Sequence, residues 1–202
     1  MIAIVDACSG NLRSVERALA HVGGDVVIAR DAETVRRADK IVVPGQGAFG
    51  VFMRGLVERG LDAPLRDAIA RGVPYLGICL GLQVLFEHGD EGDCAGLGVL
   101  AGRVTRLVPG APELKIPHMG WNRVIARRAD PLLADVGADP YVYFVHSYRV
   151  EPRDESVVVL EAEHGVRFCA AVRRGPLFAC QFHPEKSQAV GLAILRRFVE
   201  SA

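Results

Sequence analysis

Apolar residues run through the first half of the chain in two alternating rhythms. Short unbroken runs at Met1 to Val5, Val26 to Ala29, Ile41 to Val43 and Val73 to Ile78 read as strands buried on both faces. Between them the apolar positions recur every three or four residues. That spacing predicts a helix from about Leu12 to Val22, with Asn11 placed to cap it, and a short helix over Glu33 to Ala38. Further helices are predicted from Phe49 to Glu58, Leu61 to Ala70 and Leu80 to Glu87. Repeated strand–helix–strand order with short connections implies a parallel sheet covered by helices on both faces. The second half changes rhythm. Strand patterns crowd together at Gly98 to Leu107, Trp121 to Ala126, Tyr141 to Val150, Val157 to Ala162, Val166 to Arg173 and Leu177 to Phe182, before a last helix from Ala189 to Val199. The prediction is one α/β domain over residues 1–202. It has three layers and a mostly parallel central sheet, with additional antiparallel strands in the second half.

Composition narrows the classes of function. Lysine plus arginine and aspartate plus glutamate each number 24, so the formal net charge is zero. Nothing in that balance points to nucleic acid or a membrane surface as partner. The pairs Arg36-Arg37, Arg127-Arg128, Arg173-Arg174 and Arg196-Arg197 read as solvated faces. Five cysteines, Cys8, Cys79, Cys94, Cys169 and Cys180, form no CxxC pair, and Cys169 and Cys180 sit in apolar runs as small core residues. No apolar run approaches the ~18 residues of a membrane span. The N-terminal run reads as a first strand rather than a signal peptide, and with reduced thiols this predicts a cytoplasmic protein. There is no P-loop or dinucleotide fingerprint, so no cofactor is expected. A metal site from His118, His146 and His183 lacks ligand spacing.

The chemistry centres on Gly77-Ile78-Cys79-Leu80-Gly81, where a buried strand meets a helix. Glycines two residues before and after a nucleophile are the spacing of a nucleophile elbow, with cysteine where hydrolases often carry serine. Alone the pattern is weak, because cysteine is more often core than catalyst. His183 ends the last strand and is followed by Pro184-Glu185, which sets a carboxylate two residues past an imidazole, the third-member arrangement of a triad. Gln46 and Cys79 both fall at carboxyl ends of predicted strands, the edge where parallel sheets bind ligands.

The block Gly77 to Gln83 together with Gln181-Phe182-His183-Pro184-Glu185-Lys186-Ser187 resembles the class I (triad) glutamine amidotransferases. The resemblance implies a Cys79, His183, Glu185 triad that attacks the side-chain amide of glutamine, forms a γ-glutamyl thioester and releases ammonia. Pro44 to Gly50, Lys115-Ile116-Pro117-His118-Met119-Gly120-Trp121-Asn122 and Tyr143 to Tyr148 are similar to segments of one branch, the glutaminase subunits of imidazole glycerol phosphate synthases. Two departures stand out. Gln46 occupies a place where that branch more often has valine, and Ala7-Cys8-Ser9 replaces a run that usually contains Tyr-Gly, so no role is carried to Cys8.

The same resemblance implies an oxyanion donor at the Leu80 amide, aided by the Gln46-Gly47 segment. Glutamine contacts are implied at Gly47, Gln83, His146, Ser147 and Tyr148. It implies a subunit interface at Lys115, His118, Trp121, Asn122 and Lys186. No part of the chain can use the ammonia. The implied partner is therefore a separate (β/α)8-barrel cyclase subunit, in a heterodimer serving histidine biosynthesis. The chain alone is expected to be nearly inactive, because the glycine-rich peptide at Gln46-Gly47 can flip at low steric cost and present the wrong group to the oxyanion. Rival readings are another class I amidotransferase, a cysteine peptidase on the same elbow, and a silent scaffold.

Overall fold

A computed structural model describes residues 1–7, 12–111 and 113–201. The expected cap at Asn11 and the thiol of Cys8 lie outside them. Five strands in the order β2(Val26–Ala29), β1(Ile2–Val5), β3(Lys40–Gly45), β4(Tyr75–Cys79) and β14(Leu177–Cys180) pair in parallel. The sheet then continues antiparallel through β13(Arg167–Arg174), β12(Val158–Glu163) and the edge strand β9(Ile125–Ala126). This is the three-layer, mostly parallel arrangement expected from the alternation.

Side chains leave a strand alternately to its two faces, and here the alternation separates two cores. Ala3, Val5, Ile41, Val43 and Tyr75 point to one side, against Val35 of α2(Ala32–Arg37), Phe52 and Leu56 of α3(Phe49–Glu58) and Leu65 of α4(Asp62–Ala70). Ile2, Ile4, Val42, Leu76 and Ile78 point to the other side, against Val15 and Leu19 of α1(Leu12–His21) and Ile194, Leu195 and Phe198 of α6(Gln188–Glu200). Burial on both faces explains why these strands read as unbroken apolar runs.

Three expectations need correction. The helix predicted over Leu80 to Glu87 is a single turn, α5(Leu80–Gln83), after which the chain becomes β5(Phe86–Gly89). The carbonyls of Val84, Leu85 and Phe86 are taken by amides of Leu97, Gly98, Val99 and Leu100, so no helical bonds remain for them. Strand β5 joins β6(Cys94–Ala95), β7(Leu100–Arg106) and β11(Tyr148–Pro152) in a second sheet. The single strand predicted over Tyr141 to Val150 is two: β10(Tyr141–His146) pairs with β8(His118–Arg123), while β11 pairs with β7, and Ser147 is the crossing point. Arg173 is not on a solvated face. It grips the buried Asp130 carboxylate with two bonds of 2.7 and 2.6 Å. Among the described residues no helix is long and apolar enough to cross a membrane.

Candidate active site

The elbow is built by close approach. Cys79 ends β4 at φ 55°, a left-handed conformation that a non-glycine residue adopts only where its surroundings impose it. A side chain at Gly81 would stand 1.8 Å from the Val43 carbonyl oxygen, and one at Gly77 would stand 2.4 Å from the Gly81 oxygen. Both positions must therefore be bare. The one-turn helix also needs outside help. Leu85 donates to Leu82 instead of reaching back to Gly81, and the buried Tyr75 hydroxyl takes over, donating to the Gly81 carbonyl at 2.7 Å. Burial raises the Tyr75 phenol far above its usual pKa, so it stays a donor.

Across the sheet from this turn, His183 follows β14. Its Nδ1 donates to Glu185 Oε1 at 2.8 Å, and both side chains are almost wholly buried. That bond fixes the ring so that the neutral form carries its free lone pair on Nε2. Nε2 is itself buried without a hydrogen-bond partner among the described residues. Burial alone would lower the ring's pKa. Interaction with the Cys79 sulfur and with the Glu185 carboxylate outweighs it and raises the pKa to about 9. The ring is thus built to hold a proton beside the sulfur. Its turn is bolted to β10: the His183 amide donates to the Tyr143 carbonyl, and the Ser187 hydroxyl donates to the His183 carbonyl while accepting from the Tyr143 amide.

Cys79 and His183 open into a cavity of about 340 Å³. Gln46, Gly47, Leu80, Gln83, His146, Ser147, Tyr148 and Lys186 also line it, so segments spread over most of the sequence converge there. Gly47 sits at φ 100° with nothing within 4 Å of the place a Cβ would occupy. Backbone conformation, not crowding by protein atoms, requires glycine there. Both Gln83 amide hydrogens are engaged, by the Tyr148 carbonyl at 3.3 Å and by Gln181 Oε1 at 3.1 Å. Only the Gln83 oxygen is left for a ligand, which suits an ammonium group better than a carboxylate.

The ring nitrogens of His118 and His146 are all engaged within the protein. His146 Nδ1 donates to the Tyr148 carbonyl at 2.9 Å, leaving Nε2 to accept from His118 Nδ1 at 2.9 Å. Burial lowers both pKa values, to about 3 for His118 and about 4 for His146, so this pair stays neutral. Any contact His146 makes with a ligand must come from its backbone. His118 also departs from its expected place at a subunit interface, being only 4% exposed. Strand alternation is the reason: His118 and Asn122 face inward, where the Asn122 amide meets His118 Nε2 and the Glu163 carbonyl. Met119 and Trp121 face outward and are exposed, with Tyr143 across from Trp121 and the Lys186 ammonium 5.7 Å above the Tyr143 ring. Lys115 is exposed.

Two residues near Cys79 and its cavity carry no mark in the sequence that singles them out for the site. Glu91 lines the cavity and its carboxylate accepts from the Phe49 amide at 2.8 Å; nothing in its loop distinguishes it from neighbouring acids. Gln181 stands fully buried beside Cys79, and the visible signal was a polar residue in an apolar strand run.

Residues 3–202 match the family Glutamine amidotransferase class-I. The chain belongs to the class I glutamine amidotransferases. Within that family the amidotransferase is 51% identical to imidazole glycerol phosphate synthase subunit HisH of Rhodopirellula baltica, over 98% of this chain and 96% of that one. It is 47% identical to the HisH subunit of Geobacter sulfurreducens, over 98% of each chain. These identities set it in the HisH branch. Among solved structures it is similar to a glutamine amidotransferase at TM-score 0.76 and 21% identity, covering 98% of this chain and 97% of that one. It is also similar to PurLQS from Thermotoga maritima at TM-score 0.73 and 20% identity, covering 98% and 96%. At such identity the likeness concerns the fold.

Proposed function

We propose that this HisH-type amidotransferase hydrolyses L-glutamine on a Cys79–His183–Glu185 triad and hands the ammonia to the cyclase subunit of an imidazole glycerol phosphate synthase. The observation that carries the reading is the constrained Cys79 in the cavity wall, beside an imidazole whose far nitrogen is held by a buried carboxylate at 2.8 Å. The Cys79 sulfur attacks the side-chain carbonyl carbon of glutamine, and the electron pair of the C=O bond moves to oxygen. The Leu80 amide at the start of α5, with the Gln46-Gly47 segment, receives that charge; loss of one such donor typically costs about 3–4 kcal/mol. His183 Nε2 carries the thiol proton to the departing nitrogen, ammonia leaves, and a γ-glutamyl thioester remains. A water molecule, deprotonated by His183, then releases glutamate and restores the thiol. The Gln83 oxygen and the Glu91 carboxylate are the acceptors for the α-ammonium group, and the amides of the Ser147-Tyr148 turn meet the α-carboxylate.

The partner, a (β/α)8-barrel cyclase, docks on the outward face of β8 and β10 around Met119, Trp121 and Tyr143, with Lys186 at the rim of the cavity and Lys115 alongside. Support for this comes from Tyr143: the strand that carries this half-buried ring also bonds the His183 backbone, so docking and catalysis share a support. The decisive experiment assays Cys79→Ala in the complex. Glutamine-dependent turnover should vanish while turnover with free ammonium persists; equal loss of both would make Cys79 structural and end this reading.

A further inference from the structure

The mechanism above leaves one polar side chain at the nucleophile unused. Gln181 lies two residues before His183, is fully buried, and directs its amide nitrogen at Cys79 Sγ from 3.5 Å. Its oxygen lies 3.1 Å from the amide nitrogen of Gln83.

The direction of these two amides is dictated from outside the pair. The Tyr148 carbonyl can only accept, and it receives both His146 Nδ1 at 2.9 Å and Gln83 Nε2 at 3.3 Å. Gln83 must therefore turn its NH₂ group toward Tyr148. The same NH₂ faces Gln181, which has to answer with its oxygen, and this sends the Gln181 NH₂ to the sulfur. Rotating the Gln181 amide by half a turn would oppose NH₂ to NH₂ at Gln83 and set an oxygen against the sulfur. Rotating Gln83 would set oxygen against the Tyr148 carbonyl. A backbone carbonyl two residues past His146 thus fixes what the nucleophile meets.

We propose that Gln181 is a catalytic residue that donates an N–H to the Cys79 sulfur, and that Gln83 is the positioning residue that holds this donor in direction. The proposal rests on Cys79 being the nucleophile. Before attack the bond stabilises the thiolate and aims it along the cavity. During hydrolysis of the thioester the C–S bond breaks and its electron pair returns to sulfur, where the same N–H receives it. The long bond to a soft acceptor suits both tasks, since a strong donor would depress the nucleophilicity of the sulfur.

The test is alkylation of Cys79 by iodoacetamide in the full chain, followed at the Cys79 peptide by mass spectrometry because Cys94 is also accessible. Gln181→Met keeps the volume and removes the donor. At pH 7 its Cys79 should react roughly tenfold more slowly than the native residue, the worth of about 1.5 kcal/mol for a hydrogen bond to a charged group. At pH 10, above the ordinary range for cysteine thiols, the two proteins should react equally or the variant slightly faster. Gln83→Met should give a smaller fall at pH 7, and the double variant should react no more slowly than Gln181→Met alone. An unchanged rate at pH 7, or one lowered by the same factor at every pH, would overturn the proposal, the second by showing a change in access rather than ionisation. A measurement that needs no alteration of Gln181 guards against misfolding. In ¹⁵N-glutamine-labelled chain, one side-chain amide proton of Gln181 should move upfield in Cys79→Ala, and an unmoved signal contradicts the bond. The underlying reading is separately exposed: alkylated Cys79 must stop glutamine-dependent turnover in the complex. If it does not, Cys79 is not the nucleophile, whatever Gln181 does to its reactivity.

Discussion

Replacing Tyr75 by phenylalanine removes a single oxygen, yet it tests how the elbow is held. The ring itself stays fully buried in the core beneath α3 and α4. What disappears is the 2.7 Å bond to the Gly81 carbonyl, which has no helical donor because Leu85 bonds Leu82 instead. The carbonyl is left buried and unpaired, a condition that costs about 1–3 kcal/mol. For a chain of this length each kcal/mol lowers the melting temperature by about 2–4 °C, so Tyr75→Phe should melt roughly 4–8 °C below the native protein for a central cost of about 2 kcal/mol. Thermal unfolding followed by circular dichroism measures that. Hydrogen exchange gives the local version: the Val84 and Leu85 amides, which close α5, should exchange faster in the variant than amides of β1. The Leu80 amide rides on the same turn, so glutamine-dependent turnover in the complex should fall while ammonium-dependent turnover holds. A melting temperature within 1 °C of native, with unchanged exchange at Leu85, would refute the reasoning and mean that water or another donor satisfies Gly81.

Two glycines on neighbouring elements should respond with opposite signs. Gly81→Ala places a methyl group 1.8 Å from the Val43 oxygen and should cost 3 kcal/mol or more, on the order of the largest overpacking penalties, whereas Gly50→Ala meets nothing closer than 3.6 Å within α3 and should raise denaturant stability by about 0.5–1 kcal/mol. Arg173→Leu strips the partner from the buried Asp130 carboxylate and should cost about 3 kcal/mol in urea unfolding, with much of that recovered in the double variant Arg173→Leu, Asp130→Leu. The His183 pKa, raised to about 9 in the folded chain, lies above its unfolded value near 6.5. Its contribution, on the order of 3 kcal/mol, is therefore fully present below pH 6.5 and lost as pH rises through about 9; urea midpoints of native chain and His183→Gln should converge across that window.

Much of the candidate site could be read from residue order. Gly77 and Gly81 announce the elbow because a turn so tight excludes side chains at just those places, and His183-Pro184-Glu185 announces the dyad because two residues suffice to bring a carboxylate back to its imidazole. Both are local constraints, and local constraints leave marks in sequence. The helix assigned past Gln83 fails for the opposite reason. Val84 to Phe86 fit a helix as well as a strand, and the choice was made by amides of Leu97 to Leu100 that capture their carbonyls.

The sequence by itself determined the layered fold, the two cores on opposite faces of the sheet, and the placing of Cys79 and Gln46 at the carboxyl ends of its strands. Hydrophobic period and chain order suffice for that, since they decide which face of each element must leave water. Only the tertiary structure decided which way polar groups point. Strand alternation turned His118 inward and Trp121 outward from adjacent blocks of one motif. The direction of the Gln181 amide depends on Gln83 and Tyr148, which lie 98 and 33 residues away along the chain. A hydrogen bond has direction and short reach, so its partner is set by packing, and periodicity along the chain carries no record of it.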